Sequence, residues 1–301
     1  MPALVWIGGM MGLRQKRSDF WLDALIYLAI GAFTLITLLP FVNVLAVSVA
    51  STAEVVSGKL ILWPESFDFS SYRYIFNTGI FFSSLKNTVW ITGVGTAVNM
   101  AVTALLAYVC SRGHFSGRRP LLFMIVFTML FAGGMIPTFL VVKATGLMNS
   151  LWALVIPTAA SAFNILVMRE FFESIHDSII ESAKIDGCND LGIFFRIVLP
   201  LSKPALATFT LFYAVGNWNQ YFSAILYLNN SALWPLQILL RQVVLVGQAD
   251  IYSAMEYGEA LPQPLTIQMA TVVLASLPIV IVYPFLQRYF VQGLTLGAVK
   301  G

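Results

Sequence analysis

The stretch Ala24 to Val49 reads ALIYLAIGAFTLITLLPFVNVLAVSV, and its 26 residues include no Asp, Glu, Lys or Arg. A helix needs about 20 apolar residues to cross the hydrocarbon core of a bilayer. Because backbone polar groups in lipid must be bonded within their own segment, a run of this length predicts a membrane-spanning helix. The run does not alternate between apolar and polar residues, as a strand of an outer-membrane barrel would.

Five further runs without a charged residue follow along the chain, and each is long enough to span. They are Val89–Cys110, Leu121–Val142, Leu151–Met168, Ala205–Leu228 and Thr266–Leu286, with 22, 22, 18, 24 and 21 residues. Every Lys, Arg, Asp and Glu of the chain lies outside these six runs. We therefore predict an all-α polytopic membrane protein with six transmembrane helices.

The composition of the 301 residues excludes several other classes. Hydrophobic residues make up 58% and charged residues only 10%, whereas a soluble domain carries about 25% charged residues. A soluble enzyme and a disordered chain are therefore excluded. Two cysteines, Cys110 and Cys188, are too few for a disulfide scaffold. The net charge of +3 is too small to indicate nucleic acid as a partner.

Lys and Arg are distributed unevenly between the two sides of the predicted bundle. Twelve of the 17 lie in the N-terminal arm, the loop after the second run, the segment between the fourth and fifth runs, and the tail. Since basic residues concentrate in cytoplasmic loops, both termini are predicted to be cytoplasmic in a bacterial inner membrane. The predicted parts are a cytoplasmic arm (1–23), a transmembrane domain (24–286) with periplasmic loops 50–88 and 229–265, and a cytoplasmic tail (287–301).

One cytoplasmic segment, Arg169 to Pro204, reads REFFESIHDSIIESAKIDGCNDLGIFFRIVLPLSKP. It predicts two short helices around a glycine. Asp177 or Ser178 can cap the first helix, and Glu181, three residues after Ser178, would complete a capping box. Gly187 suits the end of that helix, where a left-handed residue is needed.

The second helix of this segment is predicted over Leu191–Val198, with Asn189 or Asp190 as its cap. Pro200 and Pro204 then stop and redirect the chain before the fifth apolar run, because proline lacks a backbone donor. The result is a compact amphipathic helix pair held at the membrane surface between two spans.

This segment resembles the EAA loop of the permease subunits of binding-protein-dependent ABC importers. The pattern stands here as Glu181-Ser182-Ala183, then Gly187, then Ile197-Val198-Leu199-Pro200. Lys184-Ile185-Asp186-Gly187 fits the form of the loop in sugar importers. Small departures from the pattern are Ser182, Cys188 and His176.

Other parts of residues 20 to 301 carry the same resemblance. The tail, Tyr283–Phe290 and Gly297–Gly301, is similar to the ending of maltose-type carbohydrate permeases, and Asn217-Trp218-Asn219 matches their Trp-Asn element. Gly133–Pro137 and Trp234–Gln237 resemble the branch that serves oligosaccharides from complex polysaccharides.

The resemblance implies a subunit of a larger importer in the lipid bilayer. A second, homologous permease would complete a heterodimer, a cytoplasmic ATPase dimer would dock beneath it, and a periplasmic sugar-binding protein would deliver the sugar. The chain has no G-x-x-x-x-G-K-[ST] phosphate loop. It is therefore expected to be no enzyme and to hold no cofactor, with ATP and Mg on the partner subunits. The residues expected to couple it to the ATPase are Glu181, Ser182, Ala183, Ile185, Asp186, Gly187, Leu199 and Pro200.

Polar and aromatic residues in the fifth run are candidates for the sugar pathway. They are Asn217, Trp218, Asn219, Gln220 and Tyr221. Amides can bond sugar hydroxyls and an aromatic ring can pack on a sugar ring, but intramembrane amides also bond neighbouring helices. On a continuous helix, positions 217, 220 and 221 share one face, so the five residues cannot all line one path. The sugar itself stays open, a uronate oligosaccharide included.

Two other functions stay open at this point, an ion-coupled secondary transporter and an ABC permease for a non-sugar solute. An ion-coupled transporter would normally carry carboxylates or His within its spans, and the six runs have none. Cys110, His114, His176 and Cys188 match no usual zinc spacing. No catalytic residue and no metal ligand are therefore predicted.

Overall fold

The structure is a computed structural model that describes residues 17–113, 115, 117–243 and 262–298, with side chains over 22–113, 115, 117–243 and 262–282. The first 16 residues of the predicted arm, residues 244–261 of the second periplasmic loop, and His114 lie outside the described residues, and so do the side chains of the tail. The regular secondary structure of the described residues is helical, apart from one isolated β-bridge between Ala50 and Phe67.

Fifteen α-helices are described. They are α1 Arg17–Ser48, α2 Thr52–Val56, α3 Ser70–Asn77, α4 Ile80–Ser111, α5 Arg118–Leu130, α6 Met135–Ala144, α7 Trp152–Val155, α8 Ala162–Glu173, α9 Asp177–Ile185, α10 Asp190–Ile193, α11 Leu199–Leu201, α12 Lys203–Trp218, α13 Phe222–Tyr227, α14 Leu236–Arg241 and α15 Pro264–Ala298. A π-helical turn, Phe194–Val198, joins α10 to α11, and a 3₁₀ turn covers Ser231–Leu233.

Three helical stretches are long and apolar enough to cross a membrane without interruption. They are Leu22–Ser48, Ile80–Ser111 and Pro264–Val282. They confirm the first, second and sixth predicted runs as helices, although α4 begins nine residues before the run that predicted it. Two further pairs of helices, α5 with α6 and α10–α11 with α12, could each count as one bent span. The described residues therefore contain three to five candidate spans.

The prediction that the third, fourth and fifth runs each form one continuous helix is wrong. In the third run, α5 and α6 meet at 120°, because Gly134 adopts a φ of +85° that ends the helical path. In the fourth run, residues 156–161 are not helical and contain Pro157, which lacks the donor that a helix needs there. In the fifth run, α12 ends at Trp218 and α13 begins at Phe222.

Helix α4 forms the centre of the bundle. It packs against α8 and α12, while α15 packs against α12 and α1. Helix α1 keeps its large apolar side chains exposed along most of its length, including Leu25, Phe33 and Leu35 at 63, 69 and 71%. An apolar helix with so little protein contact needs lipid or another apolar surface around it.

Candidate functional site

The first short helix of the cytoplasmic segment, α9, ends at a glycine in the left-handed conformation. Gly187 has a φ of +81°, and its N–H donates to the Lys184 carbonyl at 3.0 Å. The next N–H, of Cys188, donates to the Ala183 carbonyl at 2.9 Å. This pair of bonds is the Schellman arrangement, which satisfies the last carbonyls of a helix. The prediction of a helix ending at Gly187 is confirmed.

The beginning of α9 differs from the prediction. The N-cap is His176, whose Nδ1 accepts the Ser178 N–H at 3.4 Å and lies 2.9 Å from the Ser178 hydroxyl. Among the described residues Glu181 is exposed and makes no bond back to the cap, so the predicted cap at Asp177 or Ser178, and the capping box of Ser178 with Glu181, are wrong. The N-cap lies two residues before Ser178, because the His176 imidazole already supplies an acceptor for the Ser178 N–H.

The second short helix is capped as predicted, by Asn189. Its Oδ1 accepts the Gly192 N–H at 2.8 Å. The predicted helix Leu191–Val198 is continuous in direction but divides into α10 and the π-helical turn Phe194–Val198. We call the region from Asp177 to Pro200, which includes both short helices, the coupling loop.

Helix α9 has one buried face and one exposed face. Ile180 is 6% exposed and, with Ala183 and Cys188 beside it, packs into the main hydrophobic cluster, which also contains residues of α4, α8 and α12. On the other side of α9, Ile185 is 86% exposed, and in the neighbouring helix α10 Leu191 is 63% exposed. The loop is therefore held firmly by the bundle while it presents apolar side chains outward.

The other residues predicted for coupling lie in two places. Glu181, Ser182 and Asp186 are exposed beside Ile185 on α9. Leu199 packs partly against the main cluster, and Pro200 is exposed at the far end of the loop. The structure therefore brings the first group together on one surface and separates it from the end of the loop.

Charged groups tie α5 to α8 immediately before the coupling loop. Arg169 Nη2 donates to both oxygens of the Glu173 carboxylate, at 2.7 Å from Oε1 and 2.8 Å from Oε2, and Arg118 of α5 bonds the same carboxylate. Arg169 Nε also donates to the Cys110 carbonyl at the end of α4, at 3.2 Å. Three helices are thus joined where the loop leaves the bundle.

A second connection runs from α4 directly into the coupling loop. The Tyr108 hydroxyl donates to the Asp190 carbonyl at 3.1 Å, and the Arg112 guanidinium lies 5.1 Å from the centre of the Tyr108 ring. Arg112 is only 7% exposed. The Tyr108 side chain therefore connects the start of α10 to the end of α4.

The fifth run contributes a polar junction between helices. Asn217 is 5% exposed, and its Nδ2 donates to Asn99 Oδ1 at 2.9 Å and to Thr96 Oγ1 at 3.3 Å. Gln220 Nε2 donates to Asn217 Oδ1 at 2.9 Å and to the Leu154 carbonyl at 3.0 Å. We call these five residues, with Gly95, the Asn217 junction.

Gly95 is required by this junction. A Cβ at this position would lie 2.9 Å from Asn217 Nδ2, closer than real Cβ atoms approach, and 3.1 Å from Asn217 Cγ, so the hydrogen-bonded amide would have to shift. The absence of a side chain therefore lets α4 and α12 meet at the amide.

The other three pathway candidates, Trp218, Asn219 and Tyr221, lie apart from the junction. Tyr221 does not share a helix face with Asn217 and Gln220 as predicted, because α12 ends at Trp218. Trp218 is buried at 8% exposed. Asn219 is exposed, and its Oδ1 accepts Gln237 Nε2 at 3.3 Å. Tyr221 lies half-buried, with the Arg241 guanidinium 5.1 Å from the centre of its ring. The five candidates are thus divided between the junction, the core and an exposed cluster.

Residues 105–296 match the model of the family described as "Binding-protein-dependent transport system inner membrane component". The chain belongs to this family. It is therefore a permease of an ABC transport system and a multi-pass inner-membrane protein, and the ion-coupled alternative is set aside.

Two relatives from Bacillus subtilis (strain 168) align with nearly all of the permease. The polygalacturonan/rhamnogalacturonan transport system permease protein YtcP is 55% identical over 93% of this chain and 98% of its own. Protein LplC is 45% identical over 96% of this chain and 98% of its own.

Solved structures agree with the fold of the permease. One chain, from the crystal structure of a bacterial ABC transporter that imports the acidic polysaccharide alginate, is 36% identical with a TM-score of 0.86, and the match covers 91% of this chain and 98% of that one. A chain from the alginate transporter in complex with its pentasaccharide-bound periplasmic protein is 16% identical with a TM-score of 0.58, and it supports the fold alone.

Sequence reasoning missed several residues of these sites. Asn99, Gly95, Thr96, Gln237 and Arg241 are not among the site residues that the sequence predicts, although Gln237 belongs to the stretch Trp234–Gln237 that carries the resemblance. Gly95 and Thr96 sit among other small residues in an apolar run, so only the spatial pairing of α4 with α12 identifies them. Arg241 carried one signal, a charge that interrupts an apolar stretch.

Proposed function

We propose that this permease forms half of the translocation pathway of an ATP-driven importer for an oligosaccharide, delivered by a periplasmic binding protein. A second, homologous permease forms the other half, and two copies of a cytoplasmic ATPase supply ATP hydrolysis with Mg. The relatives support this proposal, because one is a polygalacturonan/rhamnogalacturonan transport permease and another belongs to an alginate importer. Both names describe acidic saccharides, so an acidic oligosaccharide is the proposed cargo.

The observation that carries the coupling role is the exposure of Ile185. Ile185 is a large apolar side chain that is 86% exposed, on a helix held in place by the buried Ile180, and such exposure is typical of a protein–protein contact surface. Ile185 lies outside the bent candidate span of residues 190–218, so this exposure is not explained by membrane lipid around that span. We assign this surface, Glu181, Ser182, Asp186 and Ile185, to contact with the ATPase. Ala183 and Leu199 pack against the main cluster and, with the turn at Gly187, position this surface on the bundle, while Pro200 lies at the end of the loop where the chain is redirected.

Ile185→Asp tests this assignment. A carboxylate at the centre of an apolar contact must be desolvated when the ATPase docks, so we expect transport and receptor-stimulated ATPase activity to fall by about tenfold or more. Leu60→Asp is the matched control, because Leu60 is 63% exposed but lies in the predicted periplasmic loop. Normal stimulation of the ATPase in Ile185→Asp would contradict the coupling role.

We further propose that both termini and the coupling loop are cytoplasmic, with residues 50–88 and 229–265 outside. The support is the 12-to-5 distribution of basic residues between the two sides. In a variant lacking Cys110 and Cys188, an impermeant thiol reagent should label a cysteine at position 230 in intact cells and spare one at position 182. Labelling at 182 alone would invert the proposed topology.

A further inference from the structure

The short helix α14 has an apolar side that is buried and a polar face that remains accessible to solvent. Leu236 and Ile238 are 0 and 2% exposed and lie in two different hydrophobic clusters. Gln237 and Arg241, four positions apart and therefore on one face, remain accessible. The helix thus uses its apolar side for packing and presents an amide and a guanidinium on the other side.

This polar face lies over the break between α12 and α13. Gln237 Nε2 donates to Asn219 Oδ1 at 3.3 Å, and the Arg241 guanidinium carbon is 5.1 Å from the centre of the Tyr221 ring. Asn219 and Tyr221 are outside both helices, so their side chains are not committed to a helical face. Two amides, one aromatic ring and one cation therefore meet in a single exposed cluster.

The cluster lies close to the Asn217 junction along α4. The Leu236 N–H, at the start of α14, donates to Thr88 Oγ1 at 2.7 Å, whereas the junction contacts α4 at Thr96. Eight residues separate these contacts, which is about 12 Å along a helix. Asn219 itself is only two residues from Asn217.

The charge of Arg241 needs an aqueous or anionic environment. Within the part of the chain that the structure describes, no carboxylate forms an ion pair with Arg241. Arg241 lies in the predicted periplasmic loop 229–265, where water can solvate it. Because Asn219 directly follows α12 and is two residues from the Asn217 junction, we place this face at the periplasmic end of the translocation pathway.

We propose that Asn219, Tyr221, Gln237 and Arg241 form a subsite that binds an acidic sugar residue, with Arg241 recognising the carboxylate. The inference rests on the proposed function and specifies its substrate class. A guanidinium bonds a carboxylate through two parallel N–H donors, and the Tyr221 ring holds its plane by a cation–π contact. The amides of Asn219 and Gln237 supply donors and acceptors for the hydroxyls of the same sugar.

The test uses the purified complex of both permeases with the ATPase, and trigalacturonate as the probe, with its fully methyl-esterified form as the neutral counterpart. Trigalacturonate should raise the melting temperature of the complex, since a ligand that binds the folded state stabilises it. Arg241→Gln should abolish most of this shift and lower trigalacturonate uptake into proteoliposomes by about tenfold, the scale of one lost charged hydrogen bond. Arg241→Lys should retain part of both, because a lysine keeps the charge without the planar fork.

Two controls distinguish carboxylate recognition by Arg241 from a purely structural role of this side chain. Arg73→Gln removes an exposed arginine from α3 and should leave the trigalacturonate shift unchanged. If the subsite reads the carboxylate, the response to the methyl ester should be the same, within twofold, in Arg241→Gln and the unchanged protein. A lower melting temperature without any sugar, with both responses reduced equally, would make Arg241 a structural residue and overturn the subsite.

The proposed function and the subsite fail in different ways. If the unchanged complex, with ATP and the binding protein, accumulates neither trigalacturonate nor another oligosaccharide, the proposed function fails. If it accumulates trigalacturonate and Arg241→Gln does so at the same rate with the same thermal shift, the subsite alone fails. The lack of a thermal shift in the unchanged complex also counts against the subsite.

Discussion

In the coupling loop, each turn is fixed by a residue within five positions of it, whereas the Asn217 junction joins residues about 120 positions apart. Asn189 caps the helix that follows it, and Gly187 closes the helix that precedes it. Asn217, by contrast, bonds Asn99 and needs Gly95 to be a glycine. The first region can be read from a short stretch of sequence, and the second depends on how two helices meet.

The largest effect is expected at Gly187, where a substitution disturbs the geometry of the loop. Gly187→Val forces a β-branched residue into the left-handed region, which costs about 1–2 kcal/mol. Since α9 carries the proposed contact with the ATPase, we expect transport to fall by about tenfold or more. Receptor-stimulated ATPase activity of the reconstituted complex is the measurement.

Gly58→Val is the matched control for this substitution. Gly58 has a similar φ of +68° and no heavy atom within 4 Å of an added Cβ, but it lies in the predicted periplasmic loop. Equal losses of ATPase stimulation in the two variants would indicate general destabilisation and contradict a specific role of the coupling loop.

The coupling loop was largely predictable because its signals are local. Capping by Asn189, the end of α9 at Gly187 and the redirection of the chain near Pro200 all follow from the conformational preferences of single residues. The exception is His176, since an imidazole is an unusual acceptor for a helix N-terminus and Ser178 carries the standard signal.

The breaks in the apolar runs were harder to predict. Hydropathy measures length and charge, and it does not distinguish a straight span from the 120° pair at Gly134.

The next largest effect is expected at Gly95, where a substitution tests how closely α4 and α12 approach each other at the Asn217 junction. Gly95→Ala places a Cβ 2.9 Å from Asn217 Nδ2, and such overpacking costs about 1–3 kcal/mol. Gly93→Ala, two residues away with nothing within 4 Å of the new Cβ, should be neutral or stabilise the helix by about 0.5–1 kcal/mol. The melting temperature of the purified complex should therefore fall in Gly95→Ala and stay the same or rise in Gly93→Ala. A parallel change would mean that α4 and α12 are not held at this distance.

Asn217→Leu tests whether the Asn217 junction also contacts the transported sugar or only holds the helices together. Interhelical hydrogen bonds in membranes contribute about 0.6 kcal/mol each on average, so the loss of several should lower the melting temperature measurably. Because Asn217 is 5% exposed, we expect its loss to leave the preferred sugar unchanged. Asn219→Leu, at an exposed amide two residues away, should instead slow uptake with little change in melting temperature. Altered sugar selectivity in Asn217→Leu would return this residue to the pathway.

The smallest effect is expected from two substitutions at helix N-termini in the coupling loop. One removes the cap that Asn189 forms on α10, and the other changes Glu181, which forms no cap on α9. Asn189→Ala removes the acceptor of the Gly192 N–H and should cost about 1 kcal/mol, because this N–H, in the first turn of α10, then has no side-chain acceptor. Glu181→Gln should leave local stability unchanged, since Glu181 makes no hydrogen bond or ion pair among the described residues.

Hydrogen exchange at the amides of α9 and α10 measures both variants in the intact complex, where local opening is reported residue by residue. Exchange should accelerate about fivefold at the Gly192 amide in Asn189→Ala and stay constant across α9 in Glu181→Gln. Faster exchange at the first turn of α9 in Glu181→Gln would mean that the capping box forms after all, and that this end of the coupling loop follows its sequence signal as closely as Gly187 and Asn189 do.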